Sequence, residues 1–322
     1  MLSEFELIRR YFTHPARNAR LGVGDDAALV RVRRGMELAV STDMLVAGRH
    51  FFAAADPEKL GHKALAVNLS DMAAMGATPR WATLSLALPA IDPAWLDAFA
   101  RGFMRLARRH GVDLVGGDTT RGPLNICVQI MGEVPAGQAL TRARARAGDD
   151  IWVSGQLGDA ALALAALKKR IRLKPREAAA AARRLHAPAA RIALGTALRK
   201  IAHSAIDISD GLVADLGHIC ECSGVAAVIE YEQLPVSPVL RRYLDRPAAR
   251  RALLAGGDDY ELCFTAARTR RNRVERAGLR AGVKVARIGR IIAPPAGAWG
   301  VVVTDRDGMP LKPGRTGFDH FG

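Results

Sequence analysis

Along this chain, stretches of alternating apolar and polar residues are interrupted by stretches in which apolar side chains return every three or four positions. FELIRRYF has the helical spacing, and Ser3 with Glu6 has the arrangement of a capping box, so an opening helix is expected. ALVRVR (28–33) and MELAVST (36–42) read as strands joined by a turn at Arg34–Gly35. Asp56–Pro57 pairs an N-cap with a proline at the first helical position, and the helix it starts is expected to run to about Gly76. WATLSLALP (81–89) reads as a strand, Asp92–Pro93 starts a second helix that Gly111 stops, and VDLVGGD and NICVQIMGEV read as two further strands.

The second half repeats the mixture. DIWVSGQLG opens it, helical patterns cover about 157–170, 177–200 and 211–223, and strands are expected near 225–231, 260–265, 284–292 and 299–304. The segment ALTRARARAGDD (139–150) is the best boundary candidate, which divides the chain into 1–138 and 139–322. Helices mixed with strands in both parts imply two α/β or α+β layers packed side by side.

At 322 residues such a chain can bury about three quarters of its extended surface. No apolar run approaches the roughly 20 residues needed to cross a bilayer, and MLSEFELIRRYF has no signal-peptide core, so a cytoplasmic location and no membrane partner are expected. Cys127, Cys220, Cys222 and Cys263 form no C-x-x-C pair and have no matching histidine spacing, which argues for reduced, packed thiols rather than structural zinc. The net charge of +15 raises a nucleic-acid reading. Its arginines are spread over helices such as RGFMRLARRH and KKRIRLKPRE with no interleaved aromatics, so solvated helix faces are the simpler explanation and no nucleic-acid partner is expected.

Against this basic background, many acids gather in short segments of glycine, alanine and alcohol side chains. These are LGVGDDAAL, AVSTDMLVAGRH, AVNLSDMAAMGA, VGGDTTRGP, AIDISDGLVADLGH and GGDDYELCF. Small neighbours offer few cationic partners, whereas hard divalent cations take oxygen from carboxylates, hydroxyls and water. Asp25 and Asp26 follow a glycine turn, a common arrangement that is weak by itself. Ser41, Thr42 and Asp43 are three consecutive oxygen-bearing side chains at a strand end, equally explicable as a hydrogen-bonded cluster. Asp71 sits in a helical segment of apolar neighbours with Asn68 on the same face; an ionised carboxylate buried there needs a partner, a cation or a distant arginine. GGDTTRGP offers close backbone approach to phosphate with Arg121 as an anion partner, but P-loop order is absent. Asp207, Ser209 and Asp210 precede a helix that Ser209 or Asp210 could cap while also binding metal. His50 follows Gly48–Arg49 near the acid-rich strand end, and a lone histidine reads by itself as structural more often than functional.

Taken in this order, the motifs resemble the thiamine-monophosphate kinase family, from SEFELIRRYF to the terminal GFDHF. The resemblance implies the two-domain fold of the aminoimidazole ribonucleotide synthetase-like ATP-binding enzymes. In that fold an N-terminal mixed sheet forms a barrel with its copy in a homodimer, and a C-terminal α/β domain follows. It implies phosphorylation of thiamine phosphate by ATP, giving thiamine diphosphate and ADP, with several Mg2+ ions. By motif match, Asp26, Ser41, Thr42, Asp43, Asp71, Asp118, Asp207 and Asp210 would hold magnesium. Gly117, Asp118, Arg142 and Ser209 would contact ATP, and His50, Asp258 and Phe318 would contact thiamine phosphate. Relatives often have glutamate at the place of Asp258, and tyrosine or tryptophan at that of Phe318. No general base is expected, because the accepting phosphate is already largely ionised at neutral pH. Among sister enzymes, a selenophosphate synthetase would be expected to carry a reactive Cys near its start, where the first here is Cys127, and a hydrogenase-maturation relative would end in cysteine. An aminoimidazole ribonucleotide synthetase is disfavoured by the motif set as a whole.

Overall fold

The computed structural model describes residues 4–294, 298–311 and 317–318. The Ser3 half of the capping box, and 319–321 of the terminal motif, lie outside the described residues. The chain divides into two units, one of residues 1–72 and 77–137, the other of residues 73–76 and 138–322. Both are mixtures of helix and strand, as the α/β expectation requires.

The first unit contains α1 (Glu4–Tyr11), β1 (Ala19–Leu21), β2 (Leu29–Val30), β3 (Met36–Val46), α2 (Pro57–Ala74), β4 (Thr78–Leu88), α3 (Pro93–His110), β5 (Asp113–Arg121) and β6 (Asn125–Pro135). Its main sheet runs β3-β6-β4-β5, with β3 and β5 at the edges. The strand expected at 28–33 shrinks to two residues, because Arg33 commits its backbone N–H and its guanidinium to the buried Glu133 carboxylate. Asp92 accepts from the N–H groups of Ala94 and Trp95, and Gly111 closes α3 in the left-handed region, both as expected.

Helices α2 and α3 cross at backbone contact. A methyl group added to Gly61 would lie 2.1 Å from the carbonyl oxygen of Phe99, and one added to Gly102 would lie 1.9 Å from that of Glu58. Fully buried Leu65, Leu69, Met72, Phe99 and Phe103 then fill the space beneath one face of the sheet with Leu86, Ile126 and Ile130. The opposite face is open along β3, where Leu38, Val40 and Met44 are exposed at alternate positions.

The second unit contains β7 (Asp149–Ser154), α4 (Asp159–Leu167), α5 (Pro175–His186), α6 (Ile192–Leu198), β8 (Ser204–Asp207), α7 (Leu212–Ser223), β9 (Ala226–Glu230), α8 (Pro238–Arg241), α9 (Pro247–Ala255), β10 (Leu262–Ala267), α10 (Arg271–Arg280), β11 (Val285–Ile292), β12 (Gly300–Thr304) and β13 (Pro310–Leu311). Its sheet runs β13-β12-β9-β11-β7-β10-β8, antiparallel except for the β12–β9 pair. One core packs α7 and α9 against it through Leu216, Ile219, Leu253 and Ile288; another gathers Trp152, Leu194, Phe264 and Val274. The single helix expected over 177–200 is two, because Pro188, two residues past α5, has no N–H for a helical ladder. Glu261, only 3% exposed, is held by a two-pronged pair with Arg191 and by the Ser154 hydroxyl at 2.5 Å. Among the described residues no helix is long and apolar enough to cross a membrane. The four cysteines are free thiols, with Cys220 buried and Cys222 exposed as their spacing on α7 requires.

Candidate active site

In the first unit the candidate ligands rise from β3 and α2. Strand alternation sends Ser41 and Asp43 to the helix-covered face, where the Ser41 hydroxyl donates to Asp71 Oδ2 at 2.5 Å. The Asp43 backbone N–H donates to Asn68 Oδ1 at 3.2 Å, and fully buried Asn68 donates in turn to the Ala64 carbonyl on its own helix. Asp71 is half-buried rather than enclosed, so the cost of keeping it ionised is smaller than its apolar neighbours imply. Ser41, Asp43, Asn68 and Asp71 therefore form one connected polar group. At the end of β3, the Val46 N–H donates to His50 Nδ1 at 3.0 Å across the turn that Gly48 makes at φ 81°. A neutral His50 ring then carries its proton on Nε2.

Two expected partners in this unit stay apart from that group. Thr42 alternates to the open face of the sheet and is exposed. Asp118 also faces the open side, in register with Ser85, Cys127 and Met44. It stands on β5, the opposite edge from β3, about 14 Å away at the usual strand spacing. Gly117 beside it has φ 152° and packs so closely on β4 that an added methyl would lie 1.9 Å from the Leu84 carbonyl oxygen. Asp26 is exposed in its glycine turn.

The second unit joins its motifs more tightly. Asp207 ends β8 at 5% exposure, and the chain turns through Ile208, Ser209, Asp210 and Gly211 into α7. The loop after Gly257 is laced onto this turn: the Asp258 N–H donates to the Ser209 carbonyl at 2.9 Å and the Tyr260 N–H to that of Ile208 at 2.8 Å. Asp258 and Tyr260 both adopt left-handed backbone, at φ 70° and 50°, a strain that non-glycine residues accept where surroundings over-determine them. Between them Asp259 accepts from the Gly158 N–H, and burial pushes its carboxyl well above the usual range. The Phe318 N–H donates to the Asp210 carbonyl at 3.0 Å. Asp207, Ser209, Asp210, Asp258 and Phe318 are thus neighbours. Arg142 follows Thr141, whose carbonyl accepts from the Ala205 N–H on β8, two residues before Asp207. The Arg142 carbonyl accepts from Ser223 at the C-terminal end of α7, about 18 Å along the helix from Asp210.

Sequence reading missed Asp215. This side chain, 2% exposed in the first turn of α7, accepts through one oxygen from the N–H groups of Ser209, Asp210 and Gly211 at 3.1, 3.1 and 3.0 Å. Burial, then the charges of Asp207 and Asp210, push its carboxyl up to about 7. The available signal was an acid among Leu212, Val213 and Leu216, the pattern that singled out Asp71.

Among the described residues no three histidine, cysteine or acidic side chains stand close enough to make a ready metal cluster. The donor set still fits magnesium, which keeps several waters and takes only one or two carboxylates plus substrate phosphates, in contrast to calcium or zinc sites built wholly from protein.

An open-faced sheet backed by two helices, followed by a mixed sheet with laced acidic loops, defines a class. The family model for AIR synthase related protein, N-terminal domain, matches residues 24–134, and that for its C-terminal domain matches 146–301. Within that class the chain belongs to the thiamine-monophosphate kinase family. It is 46% identical over 323 residues to the thiamine-monophosphate kinase of Salmonella typhimurium, covering 99% of this chain and 98% of that one. The crystal structure of the thiamine-monophosphate kinase from Stenotrophomonas maltophilia superposes with a TM-score of 0.84 at 47% identity, over 91% of this chain and 92% of the other. AaThiL complexed with AMPPCP and TMP superposes at 0.78 with 34% identity, over 93% and 92%.

Proposed function

We propose that the protein phosphorylates thiamine phosphate with ATP, giving thiamine diphosphate and ADP. The observation that carries this reading is full-length similarity to thiamine-monophosphate kinases at 46% identity, together with a similar fold solved with an ATP analogue and TMP. The acceptor is a phosphate monoester, ionised at neutral pH, so no side chain need remove a proton. The difficulty is repulsion: two unit charges about 4 Å apart cost roughly 4 kcal/mol at an effective dielectric of 20.

In this reading Asp26, Ser41, Thr42, Asp43, Asp71, Asp118, Asp207 and Asp210 hold several Mg2+ ions. When bound, these ions supply the positive charge that offsets the repulsion and the charge of the transferring phosphoryl group. Asn68 and Ser41 hold Asp43 and Asp71 at fixed places, so little reorganisation is left for the reaction itself. Gly117, Asp118, Ser209 and Arg142 serve ATP. For Arg142, whose backbone is remote from Ser209, this means a different part of the nucleotide. His50 offers Nε2–H to the acceptor, Asp258 an anion for the cationic thiamine, and half-exposed Phe318 a stacking face. Transfer is direct and in line, without a phosphoenzyme.

The open apolar face of β3 supports a homodimer. Closing two four-stranded sheets into a barrel would bury Leu38, Val40 and Met44 and pair the otherwise open β3 and β5 edges with strands of the other copy. A cytoplasmic location accords with the lack of a membrane-crossing helix among the described residues.

The decisive experiment incubates the purified protein with ATP, magnesium and thiamine phosphate and follows thiamine diphosphate by chromatography. Free thiamine should be a poor acceptor, and chelation of magnesium should stop turnover reversibly. Absence of the diphosphate under these conditions rejects the reading.

A further inference from the structure

The four-residue turn Ile208–Gly211 has two differently used sides. Its N–H groups at Ser209, Asp210 and Gly211 all end on one oxygen of Asp215. Its carbonyls at Ile208, Ser209 and Asp210 accept from Tyr260, Asp258 and Phe318 in turn. The same peptide planes therefore meet a carboxylate on one side and two separate loops on the other. Ordinary helix capping does not ask for this, since a cap accepts from the first turn of its own helix. Asp215 instead reaches backwards to residues before α7 and fixes the tilt of each peptide in the turn.

We infer that Asp215 is a positioning residue that couples the nucleotide and metal ligands Asp207, Ser209 and Asp210 to the acceptor-binding residues Asp258 and Phe318. It rests on the functional reading above for what those residues bind, and it touches neither substrate. Two further features make the turn intolerant of rotation. A methyl added to Gly257 would lie 2.3 Å from the Ser209 carbonyl oxygen, and one added to Gly317 would lie 2.5 Å from Ala214 Cβ, so both incoming loops already sit at closest approach. Asp258 and Tyr260 hold left-handed backbone, and their N–H bonds to the Ser209 and Ile208 carbonyls tie that backbone to the turn. If the turn is released, the strained loop relaxes and Asp258 moves with it.

The test compares Asp215→Ala, Asp215→Asn and Val213→Ala, the last removing buried volume from the same helical turn without touching the hub. Asp215→Ala should lower kcat/KM for thiamine phosphate by about a hundredfold, the scale of a displacement of about 1 Å, and raise KM for ATP as well. Asn keeps an oxygen acceptor in place and should recover most of the loss. Val213→Ala should leave both KM values unchanged. Backbone amide exchange at Asp258, Tyr260 and Phe318 should accelerate in Asp215→Ala and stay slow in Val213→Ala. Unchanged KM values and slow exchange in Asp215→Ala overturn the proposal, as does a Val213→Ala variant with the same pattern. Should Asp215→Ala not fold, Asp215→Asn decides alone: its weaker acceptor must speed those three amides but not those of Ile126–Ile130 in β6 of the first unit, and a uniform change or none overturns the assignment. The exchange readout needs no turnover, so a wild-type protein inactive on thiamine phosphate would reject the functional reading without deciding this one.

Discussion

Replacing Asp71 by asparagine separates a chemical role for this acid from a structural one. Its carboxylate accepts from Ser41 at 2.5 Å and is half-buried on α2. Asparagine fills the same volume and keeps an oxygen acceptor, so folding loses only the extra strength of a charge-assisted bond, about 1 kcal/mol. For a domain of this size that lowers Tm by roughly 3 °C. The chemical loss is larger. A charge acting on another at about 4 Å contributes roughly 4 kcal/mol at an effective dielectric of 20. Water around a half-exposed group reduces this to about half, and 2 kcal/mol on the barrier is ~30-fold in kcat. Thiamine diphosphate formation at saturating ATP and magnesium gives the rate, and calorimetry on the same sample gives Tm. A kcat within about threefold of wild type, corresponding to well under 1 kcal/mol, refutes the reasoning. So does a Tm loss of about 10 °C with undiminished turnover per folded molecule, which would mark the acid as structural.

Other substitutions test the frame that holds the site. Gly117→Ala forces a methyl group to within 1.9 Å of the Leu84 carbonyl oxygen, so β5 must shift; thermal denaturation should show a loss of about 3 kcal/mol or more, and an unchanged Tm would contradict the packing. Arg191→Met leaves Glu261 buried at 3% exposure without its cation, and denaturant unfolding should register about 3–5 kcal/mol; adding Glu261→Leu should restore part of it, and a failure to do so would show that the pair is not the cause. Val40→Lys places a charge on the open β3 face and should shift the protein towards monomer in sedimentation, whereas an unperturbed dimer would exclude that face from the interface.

The elements most legible in the sequence were those with chemical punctuation. Asp56–Pro57 and Asp92–Pro93 announced α2 and α3, and Gly111 announced the end of α3. β8 was not legible, because SAID is four residues long and buried on both faces, with no alternation to detect. α8, α9 and α10 were hidden by arginine: in RNRVERAGLR only Val274, Ala277 and Gly278 are buried, too narrow a stripe to stand out. The site residues came from composition, acids among small neighbours, and that logic found Asp71 and its Ser41 partner. It could not tell which face of β3 each side chain takes, so Thr42 was grouped with Ser41 and Asp43 although the pleat parts them. It also passed over Asp215, whose part depends on three backbone donors that no side-chain pattern records.

The crossing of α2 and α3 has a mechanical consequence. Where main chain rests on main chain at Gly61 and Gly102, no change of rotamer can absorb a shove, and the two helices can travel only as a single stiff girder. Breathing of the first unit must then occur in its turns and strand ends, around an Asp71 that keeps its station.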